Sequence, residues 1–303
     1  MTTKKIKIVS VAAILLATMI WGSGFVVMKN ALDLISPLYL IAARFTLAGV
    51  IGAIIFLPRI RKLKFRDIKT GMLCGVALAA AYILQTYGLM YTSASNNAFL
   101  TTTYVVAAPF IFWMFRRGKI TVRDFVAAAV ALAGVAMVSL NSGLSSFRIG
   151  DLWTILCGVA FAVHIFAVDC NTEGRDIISF TIMQMAGAAV VSWAAAIIFE
   201  GAPPKSIISD RTVILSLLYL SAFSTMFAFV AQVSAQKHLS SLTASLLLSL
   251  ECVFGAFFSI LLLGDPFTLK LIIGFALIFG AIAISVLRYP PKTAKGEESP
   301  ERG

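Results

Sequence analysis

Residues 58–91 read PRIRKLKFRDIKTGMLCGVALAAAYILQTYGLMY: twelve residues carrying six Lys or Arg, then twenty-two from Thr70 to Tyr91 without a charge. An apolar stretch of about 20 residues crosses the hydrocarbon of a bilayer as a helix. A basic cluster beside it is the signature of a cytoplasmic loop. The same alternation runs along the chain. Only 13% of its residues are charged and 59% are hydrophobic, against roughly 25% charged in an ordinary soluble domain. Too few charges remain to cover a water-facing surface, so lipid is the solvent. The net charge of +11 falls in short clusters such as 58–69 and 116–123, broken by apolar runs, which speaks against a basic face for nucleic acid.

Working outward, spans are expected at about 8–29, 37–57, 70–91, 96–115, 124–141, 151–170, 177–199, 212–233, 241–263 and 268–288. Turn-formers mark their borders, among them Ser36-Pro37, Pro58, Pro203-Pro204 and Gly264-Asp265-Pro266. The stretch after Lys4-Lys5 runs to about Met28 without a small-x-small cleavage site, and reads as an uncleaved first span. With both termini in the cytoplasm, 19 Lys or Arg lie inside and 5 outside, which predicts an N-in, C-in orientation. The expected fold class is an all-α membrane protein of ten transmembrane helices, multi-pass in the plasma membrane.

A shift of 140 residues lays Trp21-Gly22-Ser23-Gly24-Phe25 on Phe161-Ala162-Val163-His164-Ile165, and Arg44 on Gln184. Further on, where the first half is about one helical turn shorter, the polar stretch leading to Ala108-Pro109 falls on the one leading to Glu251-Cys252. Identity is low, and hydropathy with span order carries the overlay. It predicts two five-helix repeats, residues 1–143 and 144–289, followed by a polar, disordered cytoplasmic tail at 290–303. Five is odd, so the second repeat enters the membrane from the opposite side. Inverted repeats of this kind suit alternating access.

Several stretches carry a family resemblance: ATMIWGSGFVVMKNAL (17–32), SPLYLIAARFTLAG (36–49), YTSASNNAFLTTTYVVAAPF (91–110) and HLSSLTASLLLSLECVFGAFFSILLLGDPFTLKLIIGFALIFGAI (238–282). The chain resembles the EamA-type transporters of the drug/metabolite transporter superfamily over about residues 8–288. Two positions depart from that pattern: the usual Glu-Pro of the ninth span is Glu251-Cys252, and the usual Gly-Glu of the last loop is Gly264-Asp265. The resemblance implies efflux of small metabolites such as amino acids. It further implies a central cavity lined by spans one to four and six to nine, with five and ten outside. Polarity agrees independently. The fifth and tenth spans are almost without polar residues, whereas Asn97, Thr101, Tyr104 and Ala108 share a face of the fourth. Ser221, Thr225, Ala228, Gln232 and Gln236 share one of the eighth.

Arg44 and Glu251 are the sharpest candidates for substrate binding or coupling. Each is expected well inside a span, where a charge costs roughly 2.5–3.5 kcal/mol on the insertion scale unless paired or hydrated. One reading has Arg44 hold a carboxylate and Glu251 a cationic group or a proton; the other is a structural salt bridge or separate helix-locking hydrogen bonds. His164 is either a sensor of pH near neutrality or, more commonly, a neutral packing residue. Among Trp21, Tyr82, Tyr87, Tyr104 and Phe161, only Trp21 and Tyr104 stand out from ordinary aromatic packing. Asn97, Thr101 and Gln232 complete the candidate set. Gly22, Gly24, Gly71, Gly75 and Pro109 are candidates for close helix approach or bending. Lys29 reads as an interfacial anchor.

No cofactor or metal site is expected. The four cysteines, Cys74, Cys157, Cys170 and Cys252, match no ligand spacing and read as small packing residues. The expected partners are a small-molecule substrate and the lipid bilayer, with proton coupling as an option and either a monomer or a homodimer. Two rivals stay open. An intramembrane enzyme would need a nucleophile and base, or clustered ligands. A passive channel would need a filter sequence. No such pattern is visible.

Overall fold

The computed structural model describes residues 3–116, 122–139, 148–239, 244 and 247–286. Among these residues every regular element is helical. In lipid the backbone must satisfy its own hydrogen bonds, and the helix does so within one segment. The elements are α1 (Thr3–Leu32), α2 (Pro37–Ile55), the single turn α3 (Leu57–Ile60), α4 (Phe65–Tyr91), α5 (Ala94–Thr101) and α6 (Tyr104–Arg116). They continue with α7 (Val122–Ser139), α8 (Ile149–Asn171), α9 (Ile177–Phe199), the short α10 (Ser206–Ser209) and α11 (Arg211–Ser221). A π-helical segment (Ala222–Phe227), α12 (Ala228–Gln236), α13 (Glu251–Leu263) and α14 (Leu269–Val286) complete the order.

Seven helical segments are long and apolar enough to cross a membrane, and they coincide with the expected spans one to four and six to eight. The fifth, ninth and tenth are represented by shorter apolar helices within 125–134, Glu251–Leu263 and Leu269–Ala281. Parts of those spans, with the tail 290–303, lie outside the described residues.

Helix borders follow local chemistry. Pro37 opens α2 behind Ser36, where the missing N–H costs nothing. Asp176 accepts from the Ser179 backbone N–H at 3.0 Å and caps α9. Gly264, at φ +73°, closes α13 in the left-handed conformation that favours glycine. Close approach also depends on glycine: a Cβ on Gly75 would run into the backbone of α9 at Gly187 and Ala188, and one on Gly71 into Phe180 and Met183. Gly22 similarly lets α1 touch Phe254 and Gly255 of α13.

Two expected helices are interrupted. The fourth span is not one continuous helix, because α5 ends at Thr101 and α6 begins at Tyr104. Thr101, Thr102 and Thr103 each donate their hydroxyl to a carbonyl three or four residues back, at 2.7–2.8 Å. Such side-chain bonds compete with the helical ladder. The eighth span is widened by the π segment. Pro109 lies inside α6, which runs through it, so the break falls several residues earlier than the proline.

Charged side chains tie the two ends of the bundle. At the end where α1 finishes, Lys29 donates to the carbonyls of Leu89 and Thr92, at 2.7 and 2.9 Å, closing α4. Glu200, beyond α9, accepts from the backbone N–H groups of Leu38 and Tyr39 at 3.0 and 3.3 Å and thereby caps α2 from another helix. Asp265 does the same for α5 through the Ser95 N–H and hydroxyl. At the opposite end, Arg59 pairs with Asp176 and Arg175 with Asp67, both at 2.6 Å. Three of the cysteines are buried and Cys170 is exposed.

Candidate functional site

A partly open pocket lies between these ends, with about 510 Å³ of empty space that includes its open mouth. α1 lines it with Trp21, Gly24, Phe25 and Met28, α2 with Arg44, and α4 with Tyr82 and Gln85. Tyr104 of α6, Phe161 and Ile165 of α8, and Ser224 of the π segment continue the wall, which Phe229, Gln232, Leu248 and Glu251 complete. Six sequence candidates therefore meet here: Trp21, Gly24, Arg44, Tyr104, Gln232 and Glu251.

Arg44 is 2% exposed and held by neutral acceptors. Its Nε donates to Thr225 Oγ1 at 2.6 Å, and Nη2 to the Ser224 hydroxyl and carbonyl at 3.0 and 3.1 Å. Nη2 also reaches Tyr82 Oη at 3.3 Å, while Nη1 contacts the Met28 sulfur at 3.1 Å. The guanidinium stands 4.6 Å from the centre of the Tyr82 ring, a cation–π contact. The Ser224 carbonyl takes a second donor, Trp21 Nε1, at 2.7 Å. The π segment is thus pinned from α1 and α2 at the cavity wall, a setting where such segments recur.

Glu251, 6% exposed, does not sit mid-helix as the sequence suggests. It is the first residue of α13, after a turn at 249–250. The N–H groups of Cys252 and Val253 in that first turn already bond to the carbonyls of Ser249 and Leu250, both at 3.1 Å. The Glu251 carboxyl faces the Tyr104 hydroxyl, yet Tyr104 Oη has no partner of hydrogen-bonding geometry. Gln232 Oε1, also on the wall, is unpartnered as well. Among the described residues no ion pair joins Arg44 to Glu251, so the salt-bridge alternative does not hold in this conformation.

Aromatic rings form the rest of the wall. Trp21 meets Phe229 edge-on at 5.2 Å, Tyr82 meets Phe161 at 5.5 Å, and Tyr104 meets Phe161 at 6.4 Å. Tyr82 and Phe161, set aside on sequence as packing, line the cavity; Tyr87 does not, and its hydroxyl lies 3.4 Å from Glu200. Gln85, Ser224 and Phe229 had no sequence signal beyond a polar or aromatic type inside a span.

The other candidates lie behind the wall. Asn97 donates to Thr154 Oγ1 at 2.8 Å and to the Gln85 carbonyl at 3.1 Å. Thr101 accepts from Gln85 Nε2 at 3.3 Å. His164 bonds Gln184 at 2.8 Å through Nε2. Gly22, Gly71 and Gly75 sit at helix contacts, and Pro109 lies in α6. No group of three or more metal-ligating side chains occurs among the described residues.

A multi-pass helical bundle of the plasma membrane, with one cation and one carboxyl on the wall of its pocket, has the features of a small-molecule transporter. The chain belongs to the EamA-like transporter family, whose model matches residues 8–140 and again 148–287. It is 34% identical to an uncharacterized transporter of Archaeoglobus fulgidus over 281 residues, which is 90% of this chain and 84% of that relative. It is 26% identical over 160 residues to a probable terminal-alkyne amino-acid exporter of Streptantibioticus cattleyicolor, covering 52% of this chain and 54% of that one. A solved crystal structure of another protein, 18% identical, superposes with a TM-score of 0.64 over 92% of this chain and 96% of its own. That likeness concerns the fold alone.

Proposed function

We propose that the chain is a secondary transporter that exports small amphipathic metabolites, amino acids or solutes like them, by alternating access. The observation that carries this is the separation of Arg44 and Glu251 on the wall of one pocket, without an ion pair between them. A buried guanidinium satisfied only by neutral acceptors can still take a carboxylate, with charge-assisted bonds to gain. Glu251, beside Tyr104, would take the ammonium group or a proton, and the aromatic walls would receive the apolar body. The exporter among the relatives gives the same direction of transport.

Ten spans in two inverted halves, N-in and C-in, remain the architecture we propose. Helix pairing supports it, because the scheme survives exchange of the halves. α4 packs on α8 as α12 packs on α1; α4 packs on α9 as α11 packs on α2; and α1 packs on α13 as α6 packs on α8. The pairs α2–α9, α5–α13 and α7–α14 map onto themselves. Halves 1–143 and 144–289 that exchange conformations would open the cavity to each side in turn.

The test is reconstitution. Purified protein in liposomes is expected to move one or more amino acids from a metabolite panel, with saturation, and the same solutes are expected to raise its melting temperature. An imposed pH gradient that accelerates transport would establish proton coupling. Non-saturating flux of many solutes would replace the carrier with a channel.

A further inference from the structure

The geometry points to a second polar subsite for the carried solute, formed by His164 and Gln184 behind the ring of Phe229. Both side chains are wholly buried, and each keeps one polar atom without a partner, Nδ1 of His164 and Nε2 of Gln184. Their mutual bond, His164 Nε2 to Gln184 Oε1 at 2.8 Å, uses one donor and one acceptor. Whichever way the amide and imidazole are turned, one donor and one acceptor are left over. Unmet groups in a buried site are costly, and two such groups on adjoining side chains suit a ligand that both accepts and donates.

Phe229 stands between this pair and the cavity. Its ring lines the cavity and meets the His164 ring edge-on, 6.0 Å away. The repeat supplies the second reason. The overlay places His164 opposite Gly24 and Gln184 opposite Arg44, and in this conformation Gly24 and Arg44 line the cavity whereas His164 and Gln184 do not. Trp21 and Phe161, which correspond to each other in the overlay, both line it. If each half takes up the other's conformation, His164 and Gln184 move to the wall as Arg44 leaves it. The inference rests on the proposed alternating-access carrier. It assigns the pair the solute's polar head: an oxygen on the Gln184 amide and an N–H on the imidazole. A neutral amide holds a carboxylate less tightly than a guanidinium does, so passage from Arg44 to Gln184 would favour release.

Cysteine accessibility tests this. His164→Cys and Met28→Cys are each treated with a membrane-impermeant methanethiosulfonate on whole cells and on inverted vesicles, with the parent chain as the blank for its own cysteines. His164→Cys is expected to react from the side opposite to Met28→Cys, and an equal mixture of the proteinogenic amino acids to slow both reactions severalfold. Val168→Cys, opposite Met28 in the overlay, replaces His164→Cys if that variant does not fold. Reaction of Met28→Cys alone, reaction of both from one side, or protection of Met28→Cys alone would overturn the subsite and leave the carrier intact. If neither position reacts from either side, or neither is protected, the carrier of amino acids fails together with the subsite.

Discussion

Arg44 donates to both the hydroxyl and the backbone carbonyl of Ser224, at 3.0 and 3.1 Å, so a cation from α2 is held by the π segment of the eighth span. One residue of that segment thereby anchors the cationic wall group Arg44 and, through Trp21, a second helix.

Lysine does not reproduce this fork, since an ammonium lacks the planar set of donors that reaches Thr225 and Ser224 together. Arg44→Lys is expected to lower transport at least ~tenfold, a loss of about 1.4 kcal/mol in transition-state stabilisation. Arg44→Ala should also destabilise the bundle by about 1–3 kcal/mol for the acceptors it strands. Liposome flux and melting in detergent check the two effects separately.

Glu251→Gln keeps the shape of the side chain at the start of α13 and removes its charge. If Glu251 carries a proton, the variant transports with no dependence on pH. Uptake measured across a pH series decides the matter, and full retention of the parent's pH profile would remove the residue from coupling.

A side chain on Gly22 would place its Cβ 2.5–2.7 Å from Phe254 and the Gly255 backbone. Backbone cannot yield as a flexible side-chain tip does. Gly22→Val is therefore expected to push α1 from α13, costing about 1–3 kcal/mol and reducing flux, whereas Gly280→Ala, with nothing near its Cβ, should be close to neutral.

Glu200 caps α2 across a helix boundary. Its truncation in Glu200→Ala leaves two N–H groups of α2 without their carboxylate, with an expected loss of about 0.5–2 kcal/mol. A drop in melting temperature with binding of the solute unchanged is the expected pattern.

Asp176 lies outside the spanning helices. Burial pushes its carboxyl up, but the Ser179 bonds and the Arg59 guanidinium outweigh that and hold its pKa below the ordinary carboxylate value. A depressed folded-state pKa contributes stability that is complete above the ordinary value and is lost as pH falls through the lowered one. Acid titration of melting should accordingly show a loss in that range that Asp176→Asn lacks.

Seven of the expected spans were legible as long apolar helices, and so were the two charged residues of the cavity wall. A charge flanked by apolar residues, as at Arg44 and Glu251, is conspicuous because its burial is costly. The interruptions were not legible. Thr101–Thr103 read as part of a polar helical face, and only their hydroxyls' choice of local carbonyls separates α5 from α6. Tyr82 and Phe161 looked like any aromatic residues in a span. Asn97 and Thr101 shared the polarity of a wall residue but turn toward Thr154 and Gln85.

The sequence by itself determined the solvent of this protein and seven of its spans, because transfer into lipid and backbone pairing within a helix are settled segment by segment. Tertiary structure alone decided which polar groups meet. In helices apolar on nearly every side, periodicity does not mark the cavity-facing stripe. Glycine contacts, the π segment and the broken fourth span set the rotation of each helix. They bring Arg44 and Glu251 to one wall and leave His164 with Gln184 behind another.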